Sequence, residues 1–160
     1  MAGLSGRVGG RVVGYSIHAT WAESSIVGRM GGAFTGKDLD FRFDGYTLSG
    51  RWGGSFDGKD LYASLEGNSL TGRMGGDVVG WDLDLVYDGG LITGRLGGGI
   101  GGADVRLDCE PDGTVTGRIG GAFGGKDVAA TVSDLPFLAA AALVSAAYYQ
   151  LHLDQQSSAS

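Results

Sequence analysis

The string Gly-Arg-x-Gly-Gly occurs six times, with its arginines at Arg7, Arg29, Arg51, Arg73, Arg95 and Arg118. The steps between them are 22, 22, 22, 22 and 23 residues. A fixed period of this length means one supersecondary unit repeated side by side, each burying its apolar side only against its neighbours. A second signature, Gly-x-Asp followed by an apolar residue, recurs at Asp38, Asp60, Asp82, Asp104 and Asp127; Ser16 stands in its place in the first copy. The repeats fill residues 4–134, where the composition changes abruptly.

Hydrophobicity inside each unit alternates with period two. Leu70, Gly72 and Met74 lie on one parity, Thr71, Arg73 and Gly75 on the other. Further on, Trp81, Leu83, Leu85 and Tyr87 alternate with Asp82, Asp84 and Val86. This is the pattern of strands with one apolar face. Asp44-Gly45, Glu66-Gly67 and Asp88-Gly89 are hairpin-turn signals, and Gly36, Gly80, Gly102 and Gly125 mark turns at the opposite strand ends. Two turns per unit predict about twelve strands. The extra residue at Glu110-Pro111-Asp112-Gly113 predicts one longer turn.

If both residues of each acidic-Gly pair sit at the centre of a two-residue hairpin, residues equidistant from the turn face one another. Asp38 then meets Arg51, Asp60 meets Arg73, and Asp82 meets Arg95, on the polar face. This predicted charge pairing favours an antiparallel meander. The alternative, a parallel β-solenoid with one coil per repeat, stacks the arginines in a ladder about 4.8 Å apart, where like charges repel. Twelve open strands would leave two edges and a large apolar face, and an even strand number allows first and last to pair. Closure into a barrel is therefore expected. With both turns tight, strands of about 7 and about 11 residues should alternate. The apolar parity reads large-Gly-large, as in Leu48, Gly50 and Trp52. Such glycines either let the strand bend or leave gaps for another element.

A candidate for that element is residues 135–153, rich in Ala and Leu and free of Asp, Glu, Lys and Arg. Pro136 suits a first helical turn, with Ser133 or Asp134 as cap. A helix apolar all round is buried in protein or in a bilayer. Ser145, Gln150 and His152, with acidic rather than basic flanks, favour packing inside or against the sheet. A C-terminal membrane anchor is the alternative. Residues 154–160 read as a flexible tail.

Several functions are disfavoured. The net charge of −6 speaks against nucleic acid as partner. One cysteine, Cys109, and two histidines, His18 and His152, offer no disulfide framework and little for a metal site. The Gly-Gly pairs lie within strands, not ahead of a helix where phosphate cradles occur. Asp38 with Asp40 and Asp82 with Asp84 do not match the nine-residue calcium-roll repeat. No cofactor and no catalytic constellation are expected. The N-terminal residues show no secretory pattern, so the expected compartment is the cytoplasm. The sequence thus predicts a mainly β, non-enzymatic structural or binding protein, with self-association as a partner mode and no specified small-molecule ligand. The alternatives are a membrane-associated protein, either tail-anchored or a bilayer-inserting barrel with charged pairs in its lumen, and a filament-forming solenoid.

Overall fold

A computed structural model describes residues 2–10, 13–32, 36–54, 58–76, 79–97, 102–121 and 125–159, with side chains described to Gln155. The strands are β1 (Ala2–Gly9), β2 (Gly14–Ala22), β3 (Ser25–Gly31), β4 (Gly36–Phe43), β5 (Thr47–Trp52) and β6 (Lys59–Glu66). They continue with β7 (Ser69–Gly75), β8 (Gly80–Asp88), β9 (Leu91–Leu96), β10 (Ala103–Cys109), β11 (Thr114–Gly120) and β12 (Lys126–Ser133). A helix, α1 (Phe137–Ala159), follows. Each strand pairs antiparallel with the next, and β1 pairs with β12, Gly3 facing Ser133 and Val8 facing Val128. The fold is a closed twelve-stranded meander barrel. The solenoid alternative is overturned, because successive segments run in opposite directions and no coils stack.

The apolar parity points inward. Ile17, Phe41, Leu48, Trp52, Leu61, Met74, Leu85 and Leu107 are all buried. The charged parity points to the outside, which corrects the reading that placed Arg–Asp pairs in a lumen. Burial decides this orientation, since α1 presents an apolar surface to the inside of the wall. Among the described residues, no helix is long and apolar enough to cross a membrane.

The chain reverses at Asp134, which holds φ 53°, and α1 runs back through the lumen. Pro136 opens it, its carbonyl accepting from the Ala140 N–H at 3.1 Å. The helix extends to Ala159, past the expected end at 153. It touches β2 on one side and β8 on the other, half a barrel apart, and Leu138 to Leu151 are buried on every side. Size explains the composition. Twelve strands tilted at roughly 40° give a backbone radius of roughly 12 Å. Wall side chains take about half of that, leaving room for a helix of roughly 5 Å radius. Ala139 to Ala142, Ala146 and Ala147 keep α1 that slim.

The glycines on the inward parity do not serve the helix. A Cβ on Gly50 would strike the Asp40 carbonyl and lie 2.5 Å from the Phe41 Cα. Gly28, Gly72, Gly94 and Gly117 meet the adjacent strand in the same way. They admit the tight bend of the neighbouring strand, the simpler of the two sequence readings.

The strands expected to be long are short; β5 and β9 have six residues each. They stop where the first glycine of each Gly-Gly pair turns to positive φ, as at Gly53 (94°) and Gly75 (103°).

Candidate functional site on the outer wall

The six residues expected to pair across strands all lie on the outer wall, but with other partners. Arg51 faces Asp40, Arg73 faces Tyr62, and Arg95 faces Asp84 across the acidic-Gly hairpins. Each arginine instead meets the aspartate nine residues downstream, across the Gly-Gly turn. The ion pairs run Arg29–Asp38 (2.7 Å), Arg51–Asp60 (2.9 Å), Arg73–Asp82 (2.9 Å), Arg95–Asp104 (2.8 Å) and Arg118–Asp127 (3.0 Å). In the first copy Arg7 donates to the Ser16 hydroxyl at 2.9 Å.

The cause of the correction is turn chemistry. Glycine takes the first central position of each hairpin, and the acidic residue stands one place earlier. Gly45 has φ 98°, Gly67 59° and Gly89 59°. The Asp44 carboxylate accepts from the N–H groups of Tyr46 (2.8 Å) and Thr47 (2.7 Å). Those amides, Thr47 first, hold its carboxyl below the usual range. The pairing therefore moves by two positions, and a shift of two preserves every inside and outside assignment.

The repeated motif builds a clamp at the opposite end of the barrel, over the Gly-Gly turns. Besides its aspartate, Arg73 donates from Nε to the Gly76 carbonyl at 3.3 Å, and Arg7 bonds the Gly10 carbonyl. In three copies the guanidinium lies against the glycine that precedes the aspartate by two: a Cβ on Gly36, Gly58 or Gly125 would come within 2.7 Å of the Nε of Arg29, Arg51 or Arg118. The clamp arginines and aspartates are substantially exposed. Each pair contributes at most about 1 kcal/mol.

The reactive side chains are scattered. Cys109 is buried, and burial, helped by the Asp108 charge, pushes its thiol up to about 11. His152 lies on α1 against Trp81 and Tyr148, its ring 5.0 Å and 6.3 Å from theirs. Burial lowers its pKa. Burial also raises the carboxyl of Asp154, which accepts from Gln150 at 2.9 Å. Gln150 in turn accepts from the Trp52 Nε1 at 2.9 Å, a buried bond joining α1 to β5. Sequence reasoning missed this pair, whose members are 98 residues apart. Among the described residues, no group of His, Cys, Asp and Glu is arranged to hold a metal ion.

One part of the wall departs from the repeat. On β4, β6, β8 and β10 the outward positions beyond the clamp include Asp40, Arg42, Glu66, Asp84, Asp88, Arg106 and Asp108. At the closure, the corresponding positions of β12 and β2 hold Ala129, Thr131, Ser133, His18, Thr20 and Ala22, and they adjoin Gly3 and Ser5 on β1 and Ser25 and Val27 on β3, strands that are uncharged there like the other odd-numbered ones. None is an acid, a lysine or an arginine. A depression of about 280 Å³ opens there, with Gly3, Ser5, His18, Thr20, Thr131 and Ser133 in its lining. The Ser5 Oγ lies 2.9 Å from the His18 Nδ1. A serine–histidine contact supplies a hydroxyl and a base, but acyl transfer also needs N–H donors aimed at the developing oxyanion. β1 is flanked by β2 and β12, so the amides around Ser5 are directed into the sheet ladders.

Comparison with family models, with curated proteins and with solved structures found no match to this chain. The fold and the wall define its class: a filled, closed repeat barrel with a charged exterior and one neutral strip along its closure.

Proposed function

We propose that this protein is a non-catalytic structural or binding protein that works from its outer wall. The observation that carries this reading is the filled lumen. Leu138 to Leu151 are buried all round by the strands, so the space where barrels of this size hold a ligand is occupied by the chain itself. What remains for recognition is the exterior, where the neutral strip across β12, β1, β2 and β3 is the region least like the repeat. Uncharged, largely small side chains let a partner approach without desolvating ions, and charge depletion is the mark of an interface centre.

The test uses the Ser5–His18 pair, the arrangement nearest to chemistry on that surface. Purified protein is assayed against activated esters beside its His18→Ala variant. The expected outcome is turnover no greater than an equal concentration of free imidazole supports, and the same in both. Turnover well above that level, lost in a His18→Ala protein of unchanged melting temperature, would refute the non-catalytic reading.

A further inference from the structure

We infer that the neutral strip is a face on which a second copy of this chain docks, about a two-fold axis through Thr20. The inference rests on the outer-wall reading above and names its partner. Three outward residues lie in register across neighbouring strands: Gly3 on β1, Thr20 on β2 and Val27 on β3. Gly3 has no side chain and helps line the depression. Val27 is 53% exposed, a large aliphatic group standing out in water. Thr20 lies midway between hole and knob, each about 5 Å away. A two-fold axis lying in the interface plane, parallel to β2 and passing over Thr20, therefore brings the Val27 of one copy over the Gly3 hollow of the other, and the reverse. This is the self-complementarity that an isologous contact requires.

Charge selects the same face. A chain of net charge −6 repels its own copy, and elsewhere the wall would set carboxylates such as Asp84, Asp88 and Asp108 against the partner. Gly3, Thr20 and Val27, the part of the row nearest the axis, offer none. Asp40, one strand beyond Val27, falls where the curvature of each wall carries it away from the other copy. That convexity also limits the area. The contact belongs at the low end of specific interfaces, below about 1,200 Å² in total. The dimer is correspondingly weak, with a dissociation constant on the order of tens of micromolar or higher.

Sedimentation equilibrium of the full chain, up to roughly 1 mM, reads this directly. The weight-average mass is expected to rise from 16.3 kDa toward twice that value. Thr20→Asp sets two carboxylates face to face at the axis and should weaken association at least about tenfold. Val27→Ser, which removes both knobs at once, should do the same while testing packing rather than charge. Thr71→Asp, on the far wall, should leave it unchanged. A residue on the axis is its own neighbour, so a Thr20→Cys variant should form a disulfide-linked dimer on mild oxidation, and Thr71→Cys should not. A monomer throughout the range overturns the inference; so does a dimer indifferent to Thr20→Asp and Val27→Ser, or cross-linking equally efficient at Thr71. None of these outcomes touches the ester assay, and ester turnover lost in His18→Ala would overturn the outer-wall reading whatever the mass.

Discussion

The lumen and the outer wall obey different rules. Inside, the described inward residues pack around α1, and the two buried polar residues have partners: Ser145 donates to the Ala141 carbonyl at 2.7 Å, and Gln150 joins Trp52 to Asp154. Outside, charges sit in half-exposed pairs that solvent largely screens. The difference shows where the repeat is under physical constraint. A shared lumen forces the inward residues of all twelve strands to agree with one helix. The outer residues need agree only with their neighbours, which leaves them free to vary into a charged wall on one side and a neutral strip on the other.

The comparison can be broken by substitution, beginning with the helix. Ala142 is fully buried, and Ala142→Phe adds a ring where the lumen has no space. It should destabilise by about 3 kcal/mol or more, read as a fall in the urea midpoint. A loss below about 1 kcal/mol would mean that the helix sits loosely. Next comes Gln150→Leu, which leaves the buried Trp52 N–H without its acceptor and should cost about 1–3 kcal/mol. Pairing it with Trp52→Phe should recover part of that loss, and strict additivity in the double-mutant cycle would contradict the bond.

Turn positions should respond in the other direction. Glu23 holds φ 58° where later copies place Gly45, Gly67 and Gly89. Glu23→Gly should therefore stabilise the fold by about 1 kcal/mol in thermal unfolding. On the wall, Arg73→Ala removes a clamp and should cost no more than about 1 kcal/mol. A larger loss than that of Gln150→Leu would reverse the ranking of interior and exterior. The smallest effect is a pH dependence. Burial lowers the pKa of His152, so the folded state binds its proton less well than the unfolded state does. Stability from this group is present above the unfolded value near 6.5 and declines as pH falls through it. The melting temperature should drop on going from about pH 7.5 to about pH 5.5, and drop less in His152→Phe.

Much of this could be read without coordinates. Period-two alternation assigned Leu83 and Leu85 to the inside and Asp82 and Asp84 to the outside, and the structure agrees. Which carboxylate each guanidinium meets could not be read. It depends on whether Asp44 and Gly45 share the centre of a turn or whether Asp44 stands before it and receives two amides, and both arrangements suit the same dipeptide. The Trp52–Gln150 bond and the Gly3–Thr20–Val27 row were hidden for another reason. The first joins a strand to a helix, and the second borders the seam where the ends of the repeat meet.

Local chemistry along the chain thus determined the strands, their inward faces, their number and the slimness of the helix, because alternation and residue size act between near neighbours. Only the closed tertiary structure decided the strand register, the partner of each arginine, the bend that needs the inward glycines, and the neutral strip at the closure. Those follow from the geometry of bringing β1 against β12 around α1, a constraint that no single repeat contains.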